Sequence, residues 1–448
     1  MRIAIVYDCL YPYTVGGAER RYRSVVAQLA QRHDVTYLTR RQWNHAEVLE
    51  VPAGVRCVAV SGGRRLYTAA GRRKISPPLR FGWGIFWHLL RHRGEFDVVH
   101  TCSFPYFSLI AARLACAMGG PAVVTDWYEV WTRRYWSEYL GPAAGRVGAA
   151  VQSLCVRLTG PAFVFSELHA ARLREEGYRG RPILLKGAYA GPVDQHESRE
   201  ARDPVVVYVG RHIAEKRVPA IPAAIALARQ HIPGLRATIF GDGPDRPRVL
   251  AEIARLGLED VIRCPGFAPW SAVDAELRRA MCLILPSRRE GLGLGIVEAL
   301  ARGTPAVVAR GPDNAATELI EEDHNGFVAE SAAPAVLARA IVAVHEAGPQ
   351  LLERTRTWFA ANATRLTIDA SLVELEAVYA AAVDGALPHA QRSASLAGAV
   401  SGNGHAGGNG NGVRPPVRFG SSLVQRATRE PVAVEPVSVL GTDDGTPS

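Results

Sequence analysis

Two glutamates, Glu290 and Glu298, are separated by seven residues across a glycine-rich turn, and their spacing indicates a ligand site. An apolar run precedes the turn and a helical pattern follows it. The turn is therefore predicted at the carboxyl end of a parallel strand, where open α/β sheets bind ligands. Glycines let backbone N–H groups approach a ligand, and a helix N-terminus favours an anion. Because carboxylates accept hydrogen bonds from hydroxyls, the pattern predicts a site for a polyol that carries phosphate.

A second charged pair, Arg211 and Lys216, lies in a turn between an apolar run and a helical pattern. Arginine offers a planar fork of donors and lysine a point charge, so the two can hold a diphosphate from two sides. Taken alone, the pair is better explained as an ordinary exposed basic turn. Beside the two glutamates, we interpret it as the phosphate-binding part of the same site.

Apolar runs alternate with helical patterns along both halves of the 448-residue chain. This alternation predicts an α/β fold with two parallel, doubly wound sheets, because one ordinary domain would be shorter. The predicted strands are 2–7, 34–39, 55–60, 97–100, 122–125, 162–166, 183–185, 205–210, 237–241, 261–264, 282–285 and 306–309. The predicted helices are 18–32, 80–92, 106–118, 142–158 and 167–176 in the first half, and 217–231, 245–256, 271–280, 295–302 and 333–346 in the second. The predicted parts are a first domain at 1–190, a linker at 191–203, a second domain at 204–349, helices at 350–387 and a disordered Ser/Gly/Asn-rich tail at 388–448.

The ordered set of motifs resembles the signature of the retaining glycosyltransferases of family 4. The resemblance covers roughly residues 1–385 and rests on the glutamate pair, the Arg211–Lys216 turn, the Gly-Asp-Gly-Pro turn at 241–244 and a Gly-Gly pair before the first helix. It implies the GT-B fold, in which two Rossmann-like domains face each other across a cleft and the last helices cross back onto the first. It also implies transfer of a sugar from a UDP- or GDP-linked donor to a hydroxyl acceptor, with retention of configuration.

The same resemblance assigns roles to individual residues. Arg211 and Lys216 would hold the donor diphosphate, Glu290 the donor sugar and Glu298 the ribose hydroxyls. The two cations would offset the charge of the departing nucleotide, so the implied reaction needs no metal and no cofactor. The other implied donor-binding positions are Gly16, Gly17, Gly266, Phe267, Gly291, Leu292, Gly293 and Leu294.

The sequence departs from the family pattern after one strand of the first half. Many relatives carry a histidine there, whereas this chain has Tyr128, or Asp126 if the alignment is shifted. A tyrosine can keep a hydrogen bond but cannot carry the charge of an imidazolium near neutral pH. Tyr128 and Asp126 therefore join Arg211, Lys216 and Glu290 as candidate catalytic residues.

Charge is distributed unevenly: residues 1–187 carry 26 Lys and Arg against 13 Asp and Glu. Such a basic half could meet an anionic membrane surface or a phosphate-bearing, lipid-linked acceptor, and a solvated arginine-rich surface is the alternative. The basic, aromatic stretch 79–93 would suit an interfacial helix or, equally, a core-packed one. No nucleic-acid-binding module is legible, so nucleic acid is not an expected partner.

Scattered cysteines and a first strand that begins at the N-terminus indicate a reduced, cytoplasmic setting, with the inner membrane face as an alternative location. Three other functions stay open. A catalytically weak nucleotide-sugar-binding scaffold subunit is motivated by Tyr128, and a nucleotide-sugar epimerase shares the two-domain architecture. A dinucleotide oxidoreductase is less well supported, because the first strand–helix turn lacks Gly-x-Gly-x-x-Gly.

Overall fold

The computed structural model describes residues 1–44, 49–63, 66, 74–117, 119–191, 193 and 202–385. The predicted tail at 388–448 and most of the predicted linker at 191–203 lie outside these residues.

The first half forms one parallel sheet of seven strands. The strands are β1 (Arg2–Val6), β2 (Asp34–Arg40), β3 (Val55–Ser61), β4 (Val98–Cys102), β5 (Ala122–Trp127), β6 (Ala162–Val164) and β7 (Ile183–Leu184). Their order across the sheet is β3-β2-β1-β4-β5-β6-β7. The order reverses next to β1, as in doubly wound folds, and such a switch point creates a crevice at the carboxyl edge.

Alternate side chains of each strand point to opposite sides of this sheet, and each side packs into an apolar cluster of its own. On β1, Ile3 and Ile5 belong to one apolar cluster, whereas Ala4 and Val6 belong to another. The helices of this half are α1 (Gly17–Leu29), α2 (Ser76–His92), α3 (Phe107–Ala115), α4 (Arg133–Leu140), α5 (Pro142–Leu158) and α6 (Glu167–Glu175). Helix α4 was not among the predicted helices, although Thr132 caps it by accepting from the backbone N–H of Tyr135.

The second half forms a parallel sheet of six strands. They are β8 (Asp203–Val209), β9 (Arg236–Phe240), β10 (Ile262–Gly266), β11 (Ala280–Leu285), β13 (Ala306–Ala309) and β15 (Gly326–Ala329). The order is β10-β9-β8-β11-β13-β15, so the switch point lies beside β8. Two short strands, β12 (Arg289–Glu290) and β14 (Asp313–Asn314), pair outside this sheet.

The helices of the second half differ from the predicted ones in two places. They are α7 (Ile221–Ala228), α8 (Arg246–Arg255), α9 (Trp270–Arg279), α10 (Leu294–Leu300), α11 (Pro334–Leu366) and α12 (Ile368–Val383). Helix α7 is shorter than the helix predicted at 217–231, because Arg217 has a positive φ of 51° and two 3₁₀ turns precede α7. Helix α11 extends past the predicted end at 346 to Leu366, and it is interrupted at Gly348, which has non-helical dihedrals and is followed by Pro349.

Helix α12 packs with the first half although it follows the second half in sequence. Its Leu372 and Leu375 belong to the same apolar cluster as Ile3 and Ile5 of β1. The predicted fold class, α/β with two doubly wound Rossmann-like domains, is therefore confirmed, whereas the residue bounds assigned to each domain stay a prediction. Among the described helices, none combines the length and apolar character that crossing a bilayer requires.

Candidate functional site

A cleft of about 720 Å³ lies where the two sheets present their carboxyl edges to each other. Residues that follow strands of both halves line it. From the first half they include Tyr7, Cys102, Ser103, Phe104, Tyr128, Glu129, Trp131 and Tyr139. From the second half they include Arg211, Ile213, Glu215, Asp242, Gly243, Phe267 and Arg289. Three of the predicted site residues, Tyr128, Arg211 and Phe267, thus line one cavity.

Lys216 and Glu290 contact each other. The Lys216 Nζ lies 2.5 Å from Oε1 of Glu290, and the Ser287 hydroxyl donates to the same oxygen at 2.8 Å. Glu290 is held in place because β12 pairs in parallel with β14, opposite Asn314. The carboxylate is largely buried, and its charge is balanced by the lysine within the same half of the molecule.

Glu298 lies inside α10 and forms an ion pair that crosses to the first half. Its partner is Arg20, in the first turns of α1, which also stacks on Trp270 with Cζ 4.5 Å from the ring centroid. Burial raises the pKa of the Glu298 carboxyl, and the Arg20 charge opposes that rise. Arg20 was not predicted as a site residue, although it lies three residues after Gly17.

The glycine turn between the two glutamates approaches the first half closely. A Cβ at Gly291 would lie 2.6 Å from the backbone oxygen of Tyr128, so no larger residue fits without a shift. Gly293 caps the N-terminus of α10 in the left-handed region, with φ 91°. A Cβ at Gly17 would lie 4.0 Å from the side chain of Leu294. The two predicted glycine turns therefore meet across the domain boundary.

Arg211 lines the cleft at the end of β8, and its backbone oxygen accepts a hydrogen bond from Tyr208 at 3.1 Å. The charge of Arg211 also acts on Glu19 of the first half. Burial raises the pKa of Glu19, and the charge of Arg211 and a hydrogen bond from Tyr7 oppose this rise. Phe267 follows β10 and is 63% exposed. An exposed ring beside a cation in a cleft offers a flat surface on which a planar ligand can stack.

Tyr128 and Asp126, the two candidates for the family's histidine position, have different surroundings. The Tyr128 hydroxyl accepts from Arg21 Nη1 at 3.1 Å, and its ring stacks on Phe165 at 4.3 Å while lining the cleft. Asp126 is fully buried and accepts from Arg21 and Tyr22 at 3.1 and 2.8 Å.

The buried position of Asp126 has a consequence for its role. Burial acts to raise the pKa of Asp126, but His100, 2.9 Å away, and Arg21 hold it below the ordinary range. The carboxylate is therefore charged, and its Oδ2 already accepts hydrogen bonds from groups of the first half. A fully buried carboxylate of this kind cannot touch a ligand in the cleft, so only Tyr128 is placed to do so.

A third cross-cleft cluster was missed by the sequence reasoning. Arg289 Nε lies 3.0 Å from Glu129 Oε2, and Arg289 Cζ lies 4.1 Å from the Tyr135 ring. The Tyr135 hydroxyl donates in turn to Glu215 at 2.9 Å. Burial acts to raise the pKa of Glu129, but Arg289 lowers it below its usual range. The two halves are thus joined by partly buried charges on the wall of the cleft.

Two doubly wound domains that face each other across a charged cleft define the GT-B class of protein. Two family models match the chain: "Glycosyl transferase 4-like domain" over residues 16–188 and "Glycosyl transferases group 1" over residues 193–362. The chain belongs to the GT-B glycosyltransferases of group 1.

Individual relatives agree with this assignment. The chain is 32% identical over 151 residues to alpha-D-kanosaminyltransferase of Streptomyces kanamyceticus, a match that covers 34% of this chain and 38% of that protein. It is 29% identical over 188 residues to D-inositol 3-phosphate glycosyltransferase of Streptomyces griseus, covering 40% of this chain and 39% of that protein. The chain therefore spans about two fifths of the length of each of these relatives.

Solved structures share the fold across most of the chain. Sucrose-phosphate synthase of Thermosynechococcus elongatus has a TM-score of 0.68 at 17% identity, covering 84% of this chain and 98% of that one. The Anabaena protein HepE, solved in complex with UDP and glucose, has a TM-score of 0.64 at 15% identity, covering 85% and 99%. At such identities the likeness shows the fold alone.

Proposed function

We propose that this protein is a retaining glycosyltransferase that moves a sugar from a nucleoside diphosphate donor to a hydroxyl acceptor. The observation that carries the proposal is the meeting of Lys216 with Glu290 beside a cleft that Arg211 lines. An arginine and a lysine that both follow β8 suit a diphosphate, and the buried glutamates suit sugar hydroxyls. The UDP and glucose bound by HepE are consistent with this donor class.

In the proposed reaction, the acceptor hydroxyl attacks the anomeric carbon on the face from which the nucleotide leaves. The bond between that carbon and the phosphate oxygen breaks, and the departing phosphate oxygen takes the proton of the acceptor. Arg211 and Lys216 offset the negative charge that grows on the leaving group, and Glu290 positions the sugar. These contacts are compatible with either UDP or GDP as the nucleotide of the donor.

Donor binding requires two of the observed ion pairs to rearrange. Lys216 is now paired with Glu290, and Glu298 with Arg20. On binding, the diphosphate takes over contacts of Lys216 and the ribose takes over contacts of Glu298. Glu298 is in its charged form for this role, because a carboxylate accepts more hydrogen bonds than a carboxylic acid.

A nucleotide-sugar-binding subunit with little turnover is the second candidate. The observation that favours it is Tyr128, whose hydroxyl is already engaged by Arg21 and whose pKa is raised well above its ordinary value by burial. Such a tyrosine neither carries a positive charge nor releases its proton near neutral pH. This candidate predicts donor binding without transfer.

Proton NMR of the protein with UDP-, GDP- and ADP-sugars, with and without EDTA, separates these functions. Slow hydrolysis by a retaining transferase should release nucleoside diphosphate and, from an α-linked donor, the α-anomer first. Release of the β-anomer first would contradict retention. Donor binding without release would favour the binding subunit, and conversion of the intact donor to an epimer would favour an epimerase.

A lipid-linked acceptor and attachment at a membrane surface belong to the same proposal. The support is the excess of basic residues in the first half, which attracts an anionic surface. Catalysis without a metal is also part of it, and the EDTA arm of the NMR experiment tests that part.

A further inference from the structure

Helix α2 presents an apolar stripe to solvent. Ile75, Leu79 and Trp83 follow one another at intervals of four residues and are 60%, 47% and 65% exposed. Residues four apart lie on one face of a helix, one above the other. Trp87, four residues further on, is half-buried and packs at 5.5 Å from Trp83. An exposed tryptophan within a continuous apolar stripe is uncommon on a protein surface that faces only water.

The packing of α2 explains why this stripe faces outward. A Cβ at Gly82 would lie 2.8 Å from the Cβ of Phe107, at the start of α3, and a Cβ at Gly84 would overlap the backbone oxygen of Val60 in β3. The two glycines therefore bring the helix backbone directly against its neighbours on two sides. Trp83 lies between them in sequence, so its side chain points to the remaining open side.

Basic side chains border the stripe. Arg80 lies beside Leu79 in sequence, and Arg91 stacks on Trp87 with Cζ 5.0 Å from the ring centroid. Lys74 before the helix and Arg93 after it are also exposed. The sequence of α2, Ser76–His92, contains no aspartate or glutamate. Apolar residues framed by cations, without acidic residues, are typical of helices that lie in the interface of an anionic membrane.

The position of the stripe relates it to the cleft. Phe107, which Gly82 contacts, follows the carboxyl end of β4, and Ser103 and Phe104 of the same strand end line the cleft. Trp83 therefore stands at the edge of the first sheet on which the cleft opens. A lipid surface that meets this face would lie at the end of the molecule where an acceptor enters.

We propose that the exposed face of α2, formed by Ile75, Leu79 and Trp83 with Arg80 and Arg91 at its border, docks the protein on an anionic lipid surface. The inference rests on the proposed function for the identity of the acceptor, whereas lipid binding itself does not require catalysis. A symmetric dimer through the same face is disfavoured, because a two-fold axis would bring the basic borders of both copies together. Anionic headgroups complement those charges.

Co-sedimentation of the full chain with vesicles tests the proposal, using phosphatidylcholine alone and phosphatidylcholine with 30% phosphatidylglycerol. Wild type should bind the anionic vesicles and lose binding as salt is raised. Leu79→Ser with Trp83→Ser should weaken binding tenfold or more, because two apolar side chains no longer enter the interface. Arg80→Glu with Arg91→Glu should weaken it at least 25-fold, since each arginine contributes about fivefold.

Two control variants separate the surface from general effects. Val373→Ser removes an apolar side chain of α12 that is 67% exposed, and Arg339→Glu reverses an exposed charge on α11. Both should bind vesicles as wild type does. Absence of wild-type binding, equal binding to neutral and anionic vesicles, or unchanged binding of the Leu79/Trp83 variant would overturn the proposal.

Two further measurements identify what fails if the result is negative. Light scattering that shows a dimer in wild type and a monomer in Trp83→Ser would assign this face to a second copy and overturn the lipid proposal. Nucleoside diphosphate binding, measured in parallel, should be unchanged in Trp83→Ser and lost in Lys216→Ala, whereas vesicle binding should show the opposite pattern. If wild type did not bind nucleoside diphosphate, the proposed function would be contradicted, whereas the lipid-docking proposal would not be affected.

Discussion

Arg289 and Glu290 are neighbours on one short strand, yet they act on different halves of the molecule. Successive side chains of a strand point to opposite sides, so Glu290 turns to Lys216 of its own half while Arg289 turns to Glu129 of the other. The same contrast separates the two walls of the cleft. Lys216 and Glu290 meet within the second half, whereas Arg20 and Glu129 of the first half are paired with residues of the second.

The contacts of the cleft are therefore of two kinds: those within one half form a local site, and those between the halves hold the two halves together. The Lys216–Glu290 contact depends on two loops of a single sheet and should persist if the halves separate. The contact of Arg20 with Glu298 exists only while the halves face each other as they do here. Variants of the two kinds of contact should therefore have different consequences.

The largest effect is expected for Lys216→Ala. Removing a charge-assisted contact to the donor costs roughly 1.5–3 kcal/mol, so nucleoside diphosphate affinity or turnover should fall about 10- to 100-fold. Calorimetric titration and NMR turnover would measure it. Arg339→Ala, which removes an exposed cation of α11, is the matched control and should behave as wild type. Equal affinities in both variants would remove Lys216 from the site.

A smaller loss, about tenfold in donor affinity, is expected for Glu298→Gln, because a neutral amide is a weaker acceptor for ribose hydroxyls. Glu276→Gln is the control, since Glu276 is equally buried and arginine-bound but contacts Thr238 and Arg263 instead of the cleft. If Glu276→Gln reduced affinity as much as Glu298→Gln, the loss would report general destabilisation.

The wall of the first half is tested by Tyr128→Phe. This change removes the acceptor for one N–H of buried Arg21, so stability should fall by about 1.5 kcal/mol while nucleotide affinity stays within twofold. Tyr178→Phe removes a hydroxyl that donates to the neutral backbone oxygen of Gly160 and should cost about 1 kcal/mol. Urea unfolding of the three proteins gives the comparison. A tenfold loss of affinity in Tyr128→Phe would instead show that its hydroxyl contacts the donor.

The smallest effect, about threefold near neutral pH, is expected for Arg20→Ala. Burial raises the pKa of Glu298, and the variant loses the charge that opposes this rise. Glu298 should then be protonated at a higher pH than in wild type. As the pH is lowered, the UDP or GDP affinity of the variant should therefore begin to fall at a higher pH than that of wild type.

Arg263→Ala is the control for that pH profile, because it breaks an arginine pair with buried Glu276 away from the cleft. Its profile should follow that of wild type. A pH-independent loss in Arg20→Ala would mean that the arginine itself contacts the donor.

The same contrast explains what the sequence could predict. Strand–loop–helix units are short, so apolar runs predicted twelve of the thirteen strands of the two sheets. They also placed Arg211, Lys216 and Glu290 after strands and Glu298 in the helix that follows the glycine turn. The missed strand, Gly326–Ala329, is four residues long and lies between polar segments. Helix α4 was missed because its aromatic residues obscured the helical pattern, although Thr132 provides a capping signal.

Contacts between the halves could not be predicted in the same way. Arg20 and Glu298 are 278 residues apart, and no local pattern indicates that they meet. Asp126 and Tyr128 lie on one segment, and only the burial seen in the structure separates an interior carboxylate from a ring that lines the cleft.

The central claim is that this cleft binds a nucleoside diphosphate, and thermal unfolding with UDP, GDP and ADP tests it directly. Each nucleotide would be added with EDTA and then with Mg²⁺, to wild type and to Lys216→Ala. A ligand at 100 times its dissociation constant adds roughly 2.7 kcal/mol of stability. We predict that one of the three nucleotides stabilises wild type equally with EDTA and with Mg²⁺, and that Lys216→Ala loses most of this increase in unfolding temperature. No shift of wild type with any nucleotide would contradict the account.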